Sequence, residues 1–362
     1  MVQKTYRIAV VPGDGIGLEV TPEAIKVLDR VAELSGGAFG FSYTSFPWGS
    51  HYYLETGTVM DEGGLETLRS FDAILFGATG WPTVPDHVSL YGFRLVVCKG
   101  FDLFASVRPV RLFRGIHSPL RNGTPETIDW IMVRENSEGE YSGIGGRNLG
   151  SRGDGKELAI ESALFTAEGC ERIIRYAFEI AATRPRKHVT SVTKSNAQQY
   201  GMTLWDDCFA RIRAEFPEIG ADQVLVDACA ARMVLHPESF DVVVASNLFG
   251  DILSDLGGAI GGSLGIAASG NIDPLRRNPS MFEPVHGSAP DIAGQGIANP
   301  IATIWSAAMM LEHLGESVAA NQIMNAIERA TASGTVTRDL GGSATTADAG
   351  DAILHALEGN DG

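Results

Sequence analysis

Cysteine is scarce in this 362-residue chain: Cys98, Cys170, Cys208 and Cys229 stand far apart, with no CxxC pair. That spacing excludes a zinc module and a dense disulfide framework, and reduced thiols are the simplest reading. Positive charge is also in deficit, with 28 Lys and Arg against 44 Asp and Glu for a formal net of -16. Such a surface argues against nucleic acid or an anionic membrane as the main partner, so an anionic ligand must be captured by individual Arg and Lys side chains. Long apolar runs are missing as well. Ile301 to Leu311 (IATIWSAAMML) is about half a membrane span and carries Thr, Ser and Trp, so it reads as a buried helix. No repeat of fixed period is visible. The opening residues MVQKTYRIAVVPGDG pass directly into a strand and a glycine turn without an export-type apolar region, which gives the expectation of a cytoplasmic chain.

What is present is a large apolar fraction, 44% of residues, enough to bury a substantial core in two domains or one large α/β unit. Short β-branched runs recur at Arg7 to Val11, Phe71 to Phe76, Trp130 to Val133, His188 to Val192, Val224 to Val226 and Val242 to Ala245, with helix-length segments between them. That alternation predicts α/β packing. Val20, Ala24, Val27, Leu28 and Val31 fall at three- and four-residue steps and mark one core helix; Arg172 to Ala182 and Trp205 to Phe216 repeat the pattern. Gly143 to Gly155 (GIGGRNLGSRGDG) is too long for a tight turn and predicts an exposed hairpin or arm, and the tail from Gly341 ends in a short amphipathic helix.

The strand Arg7 to Val11 runs into PGDGIG and then a helix, which invites a Rossmann reading. It fails that test, because the dinucleotide fingerprint needs its third glycine where Leu18 stands. In NLFGDILSD, Asp251 and Asp255 lie four residues apart, so on a helix their carboxylates share a face. Two such groups suit Mg²⁺ or Mn²⁺; the competing reading is a solvated acidic face. Arg108 in ASVRPV and Arg134 at the end of IMVRE have the fork shape that clamps a carboxylate, against a competing role in surface ion pairs. Tyr141 follows one short loop beyond Arg134, and a phenol acts as a general acid only if neighbours position it. Lys194 in SVTKSN and Asp227 in VLVD both sit at strand ends, where partial burial would lower the lysine pKa enough for proton transfer. Residues Met281 to Pro300 (MFEPVHGSAPDIAGQGIANP) read as a backbone cradle rather than a core element. There, His286 would stack on or hydrogen-bond a planar ligand and Asp291 would accept ribose hydroxyls; no second His or Cys at ligand spacing supports zinc.

Taken together, PGDGIG, RENSEGEYSG, SVTKSN, VASNLFGDILSDLGG and FEPVHGSAPDIAGQGIANP make the chain resemble the β-decarboxylating dehydrogenases, the family of isopropylmalate, isocitrate, D-malate and tartrate dehydrogenases, over nearly its whole length. The resemblance implies an isopropylmalate dehydrogenase-like α/β fold of two domains with a large mixed sheet and no Rossmann domain. A discontinuous NAD-binding domain would span 1-104 and 257-362, and a smaller domain with dimer interface and arm would span 105-256. It implies Tyr141 and Lys194 as catalytic residues, Arg108 and Arg134 on substrate carboxylates, and Asp227, Asp251 and Asp255 as metal ligands. Lys194 and Asp227 would be contributed across the interface of a homodimer. NAD would lie on His286, Gly287, Ser288 and Ala289, with Asp291 on the adenosine ribose, Asn299 near the adenine, and Gly77, Ala78 and Thr79 beside the nicotinamide. A carboxylate at 291 repels a ribose phosphate, which favours NAD over NADP.

Isopropylmalate and isocitrate enzymes carry an arginine where this chain has Cys98, and isopropylmalate enzymes carry a leucine where it has Arg94. An arginine at 94 would leave an isopropyl group facing a charge. The pattern is most similar to the members that act on tartrate and D-malate, with Arg94 and Cys98 at the substrate. The implied reactions are oxidation of tartrate to oxaloglycolate, oxidative decarboxylation of D-malate to pyruvate and CO2, and conversion of meso-tartrate to D-glycerate, each with NAD and Mn²⁺ or Mg²⁺. K⁺ is a further candidate ion. A 3-isopropylmalate enzyme is the alternative within the family. A non-catalytic regulatory subunit is the alternative outside enzymes, although its expected loss of Tyr, Lys or metal Asp is absent.

Overall fold

The computed structural model describes residues 3–148 and 157–359. In chain order the elements are β1 (Thr5–Gly13), α1 (Gly17–Leu34), β2 (Gly40–Ser45), α2 (Ser50–Thr56), α3 (Gly64–Leu68), β3 (Ala73–Ala78), α4 (Asp86–Ser89), a wide helical turn Leu90–Arg94 and α5 (Leu95–Gly100). There follow β4 (Ala105–Arg111), β5 (Asp129–Glu135), β6 (Gly139–Asn148), β7 (Leu158–Leu164), α6 (Ala167–Thr183), β8 (His188–Thr193), α7 (Gly201–Arg213) and β9 (Gly220–Leu225). The remainder is α8 (Val226–Leu235), β10 (Val242–Ala245), α9 (Asn247–Ile260), β11 (Ala268–Ile272), β12 (Ser280–Pro284), α10 (Ile301–Leu314), α11 (Ser317–Ala332) and α12 (Thr346–Glu358). Among the described residues no helix is long and apolar enough to cross a membrane.

Two compact units divide the chain, one of Met1–Leu103, Val107–Asp129 and Gly257–Gly362, the other of Phe104–Ser106 and Trp130–Leu256. The segment 107–129, expected in the smaller domain, therefore belongs to the larger unit. The reason is its packing: Phe113 meets Trp305 of α10 edge to face at 5.1 Å, and Arg111 and Arg114 both pair with Glu328 of α11.

In the larger unit the strand order is β2-β1-β3-β12-β11. β1 runs parallel to β2 and β3, β12 runs parallel to β3, and β11 turns antiparallel to β12, so this part of the sheet is mixed. A Rossmann sheet has a different, parallel order. Because β1, β3 and β12 run the same way, the loops that follow Gly13, Ala78 and Pro284 leave at one edge. α1 covers the sheet with Val20, Ala24, Val27, Leu28 and Val31, all fully buried. α10 is apolar on nearly all sides and almost wholly buried, as a helix in the middle of a core must be.

The smaller unit has β5, β10, β8 and β9 in that order, all parallel, while β6 and β7 form a separate antiparallel ribbon. The expected arm at 143–155 begins in β6; residues 149–156 lie outside the described residues.

Three local expectations are corrected. The strand read at Val224 to Val226 ends at Leu225, and Val226 opens α8 with Asp227 in its first turn, where the helix dipole favours an acid. The stretch 281–300 is loop only after Pro284, because Ser280–Pro284 is a fully buried strand. β2 alternates Phe41 and Tyr43 with Gly and Ser, and β11 carries Ser, Gly and Asn, so neither shows the β-branched run that marked the other strands.

Candidate active site

In the smaller unit the end of β5, the start of β6 and the first turns of α9 meet. Arg134 is buried, and its Nη1 pairs with Oδ1 of Asp251. The Tyr141 hydroxyl donates to Oδ2 of the same carboxylate at 2.9 Å. The guanidinium also donates from Nε and Nη2 to the side-chain Oδ1 of Asn247, at 3.0 and 2.7 Å, and lies 5.2 Å from the centre of the Tyr141 ring. Asn247 in turn donates from Nδ2 to the Glu138 carbonyl at 3.1 Å, which ties the loop before Tyr141 to the helix. Asp255 is one turn further along α9 and exposed. Gly250 faces Arg134 so closely that a Cβ there would lie 2.7 Å from Arg134 Cβ and Cγ.

The turn that delivers Tyr141 is folded around a buried carboxylate. Glu135 accepts from the amides of Ser137 and Glu138, at 2.9 and 2.8 Å, and from the Ser137 hydroxyl at 2.5 Å. Burial pushes its carboxyl up, and these hydrogen bonds to the ionised form oppose the push. Neither Asn247 nor Glu135 stood out in the sequence; the signal was an amide at a helix start and an acid opening a Gly- and Ser-rich turn.

Lys194 and Asp227 form a second group. Lys194 Nζ lies 2.5 Å from Asp227 Oδ1, and the lysine holds the aspartate below the usual carboxylate range. Among the described residues of one chain, no three His, Cys, Asp or Glu side chains converge as a metal site, so Asp227 does not join Asp251 and Asp255 within the chain.

In the larger unit Arg108 is buried in β4. Arg94 is buried as well and donates from Nε to Glu283 at 2.7 Å and from Nη2 to Asn271 at 3.3 Å, while Asn271 donates to Glu283 at 2.6 Å. Cys98 is fully buried in an apolar cluster with Phe93, Val97, Phe101 and Met281. These contacts correct the expectation that 94 and 98 share a polar pocket wall: Cys98 is in the core, and Arg94 is half of a buried ion pair.

Two cavities open on the loops of this unit. One, of about 530 Å³, is lined by Thr79, Gly80 and Trp81 on one side and Gly287, Ser288 and Ala289 on the other. The second, of about 300 Å³, is lined by Ile16, His286, Ile292, Asn299 and Asp339 among others. Asp291 is exposed between Pro290, on the first, and Ile292, on the second. Gly77 and Ala78 are buried at the end of β3, where a Cβ on Gly77 would lie 2.3 Å from the Pro12 carbonyl; the cavity wall starts at Thr79.

The polar atoms of the walls fit a polar, planar ligand. Thr79 Oγ1 and His286 Nε2 are shielded from solvent with no hydrogen-bond partner among the described residues. His286 Nδ1 is 2.9 Å from the Gly287 carbonyl, so it donates there and leaves Nε2 as an acceptor. Burial holds this imidazole below its ordinary pKa, which keeps it neutral at pH 7. Asn299 donates to Asp339 at 3.0 Å and accepts from the Ile301 amide at 3.0 Å, so its side chain serves the start of α10 as well as the cavity. Asp339, a site residue that sequence reasoning missed, also accepts from Ser263 and Thr337, both at 2.5 Å.

A family model described as isocitrate/isopropylmalate dehydrogenase matches residues 7–353. The chain belongs to the isocitrate/isopropylmalate dehydrogenase family. Within that family it is 54% identical over 357 residues to a probable tartrate dehydrogenase/decarboxylase of Agrobacterium vitis, covering 99% of each chain. It is 52% identical over 363 residues to a D-malate dehydrogenase (decarboxylating) of Escherichia coli K12, covering 98% of this chain and 99% of the relative. A tartrate dehydrogenase/decarboxylase of Pseudomonas putida is 50% identical over 365 residues, with 99% of each covered. The crystal structure of isocitrate dehydrogenase from Methylococcus capsulatus superposes with a TM-score of 0.87 at 36% identity, covering 97% of this chain and 99% of that one. The fold is thus that of this dehydrogenase family, and the chain is an enzyme, an oxidoreductase of the decarboxylating dehydrogenase type.

Proposed function

We propose that this family member oxidises a small 2-hydroxy dicarboxylate with NAD and a divalent metal. The reactions are tartrate to oxaloglycolate, D-malate to pyruvate and CO2, and meso-tartrate to D-glycerate and CO2, the last without net oxidation because the hydride removed from the substrate is returned after CO2 leaves. The observation that carries the reading is the convergence of Arg134 and Tyr141 on Asp251, one helical turn from Asp255. An anion clamp, a proton donor and paired carboxylates in one place are what oxidation and decarboxylation of a hydroxy acid require. Sequence identity of 50% or more along the whole chain to tartrate and D-malate enzymes supports the substrate class.

The donor set at Asp251 and Asp255, all carboxylate oxygen, fits Mn²⁺ or Mg²⁺, and the loops around Thr79 and His286 fit a dinucleotide. When bound, the ion would polarise the substrate oxygens and the nicotinamide would accept the hydride. Arg134 and Arg108 hold substrate carboxylates by charge-assisted hydrogen bonds. The C2 hydroxyl proton goes to Lys194, and Tyr141 gives its proton to the carbon that loses CO2. Asp291 selects NAD over NADP by charge.

The enzyme works as a homodimer in this reading, with Lys194 and Asp227 supplied to Asp251 and Asp255 by the second copy. Exposed apolar side chains of the smaller unit support such a contact: Leu235 and Val234 on α8, Ile252 on α9, and Leu158 and Ile160 on β7. The decisive experiment follows NADH formation with L-tartrate, D-malate, isopropylmalate and isocitrate, each with Mn²⁺ and with a chelator. Metal-dependent turnover of tartrate and D-malate is the expected result. Preference for isopropylmalate would overturn the substrate assignment, and silence on all four would overturn the reading as a whole.

A further inference from the structure

The segment that fails as a dinucleotide fingerprint is tied to both walls of the two cavities. Asp14, fully buried, accepts from the Ser50 amide at 2.7 Å and the Ser50 hydroxyl at 2.6 Å. Its Oδ2 also accepts from the Gly80 amide at 2.8 Å, in the loop after β3. Its own amide donates to the Ala78 carbonyl at 2.9 Å. Two residues on, the Ile16 amide donates to the Ser288 carbonyl at 2.9 Å, across on the other wall. Glu19, in the first turn of α1, accepts from the amides of Gly294 and Gly296 at 2.6 and 2.8 Å. The glycines permit this closeness: Gly15 has φ +52°, and a Cβ there would lie 2.1 Å from the Ser288 carbonyl.

A carboxylate buried without partners is costly, and Asp14 offsets that cost with charge-assisted hydrogen bonds to N–H and O–H donors. General stability of the fold does not require these bonds to end where they do. α1 is already held by its apolar face, and β1 by ladders to β2 and β3. Asp14 ties the start of α2 at Ser50 to the amide of Gly80 on one cavity loop, and Glu19 takes amides of Gly294 and Gly296 on the other.

We propose that Asp14 and Glu19 are positioning residues for the dinucleotide: Asp14 sets the loop at Thr79 and Gly80, and Glu19 sets the loop that runs from His286 to Asn299. The proposal rests on the cofactor reading given above. Neither carboxylate need touch the ligand; each fixes a wall before the ligand arrives, so the binding energy is not spent on ordering the loop.

The test measures NADH affinity by fluorescence titration without substrate, and KM and kcat with D-malate and Mn²⁺, in wild type, Asp14→Asn and Glu19→Gln. Asn keeps the size of Asp14 but presents a donor or a weaker acceptor to Gly80, and Gln does the same at the half-buried Glu19. The expected result is an NADH Kd and a KM for NAD⁺ each raised about tenfold in both variants, with kcat at saturating NAD⁺ and KM for D-malate within about twofold of wild type. Should Asp14→Asn lose its far-ultraviolet dichroism, Glu19→Gln decides the question alone. Wild-type-like NADH binding in the folded variants would overturn the proposal and leave the cofactor reading standing. So would an equal fall in kcat with unchanged KM for NAD⁺. Failure of the wild type itself to bind NADH would overturn the cofactor reading, and this proposal with it.

Discussion

Arg134 has five N–H donors on a rigid fork, and Asn247 takes hydrogen bonds from two of its nitrogens. Asn247→Ala would remove two of the hydrogen bonds that orient that buried guanidinium. The expected outcome is a KM for the hydroxy acid raised by about 10- to 100-fold, with a smaller change in kcat, because a misplaced clamp loses orientation as well as binding. Steady-state kinetics with D-malate at saturating NAD⁺ measure it; an unchanged KM would remove Asn247 from the site. Tyr141→Phe deletes the hydroxyl on Asp251 while keeping the ring over Arg134. Pyruvate release from D-malate should fall by roughly 10² to 10⁴ if the phenol is the proton donor. The residue types of this site were legible in the sequence, since Arg134, Tyr141, Asp251 and Asp255 occur in recognisable strings. Asn247 and Glu135 were not, because their value lies in what they orient: Asn247 meets a partner more than a hundred residues away, and Glu135 is set apart from an ordinary surface acid only by its burial in the turn.

Helix α9 illustrates how an element can be shaped for a neighbour at the expense of its own stability. Glycine costs about 1 kcal/mol in a helix relative to alanine, and Gly250 occupies the turn that faces Arg134. Gly250→Ala should therefore gain helix propensity and lose function: the new methyl displaces Arg134, and kcat/KM should fall by at least about tenfold. Thermal unfolding and kinetics on one preparation check both halves. α10 shows the opposite balance of forces. A histidine in the last turn of a helix is ordinarily favoured as the cation by the dipole, but burial, with Arg276 adding to it, pushes His313 down to about 4. The unfolded histidine takes its proton near pH 6.5 while the folded one refuses it. The stability that depends on the neutral ring is therefore complete above 6.5 and lost progressively as pH falls from there toward 4. Between pH 7 and 5 this amounts to about 2 kcal/mol, so His313→Gln should show a visibly smaller drop in Tm over that interval than wild type. At this scale apolar periodicity found α1 and the core character of α10, whereas β2 and β11 lack a β-branched run and show themselves only in their ladders with β1 and β12.

For the whole molecule the proposal of a shared site makes a quantitative prediction. Lys194→Ala and Tyr141→Phe should each be inactive alone. If Lys194 serves the second copy, a mixed dimer holds one intact site and one doubly altered site, so subunit exchange should restore about a quarter of wild-type activity. Recovery close to zero after verified exchange would place Lys194 in the site of its own chain, beside the Asp227 it already contacts.

The sequence by itself determined the family and the α/β alternation, because hydrophobic periodicity and short motifs are local properties of a chain. It also rejected the Rossmann reading of PGDGIG from a single misplaced glycine. Only the tertiary structure decided what that segment does, since Gly80, Ser288 and Gly294 come within hydrogen-bond reach of it through the parallel arrangement of β1, β3 and β12. The same holds for Arg94 and Cys98. Side-chain chemistry suggested a polar pocket wall, but burial beside Glu283 and among aromatic rings, which depends on contacts far apart in the chain, made one an ion pair and the other part of the core.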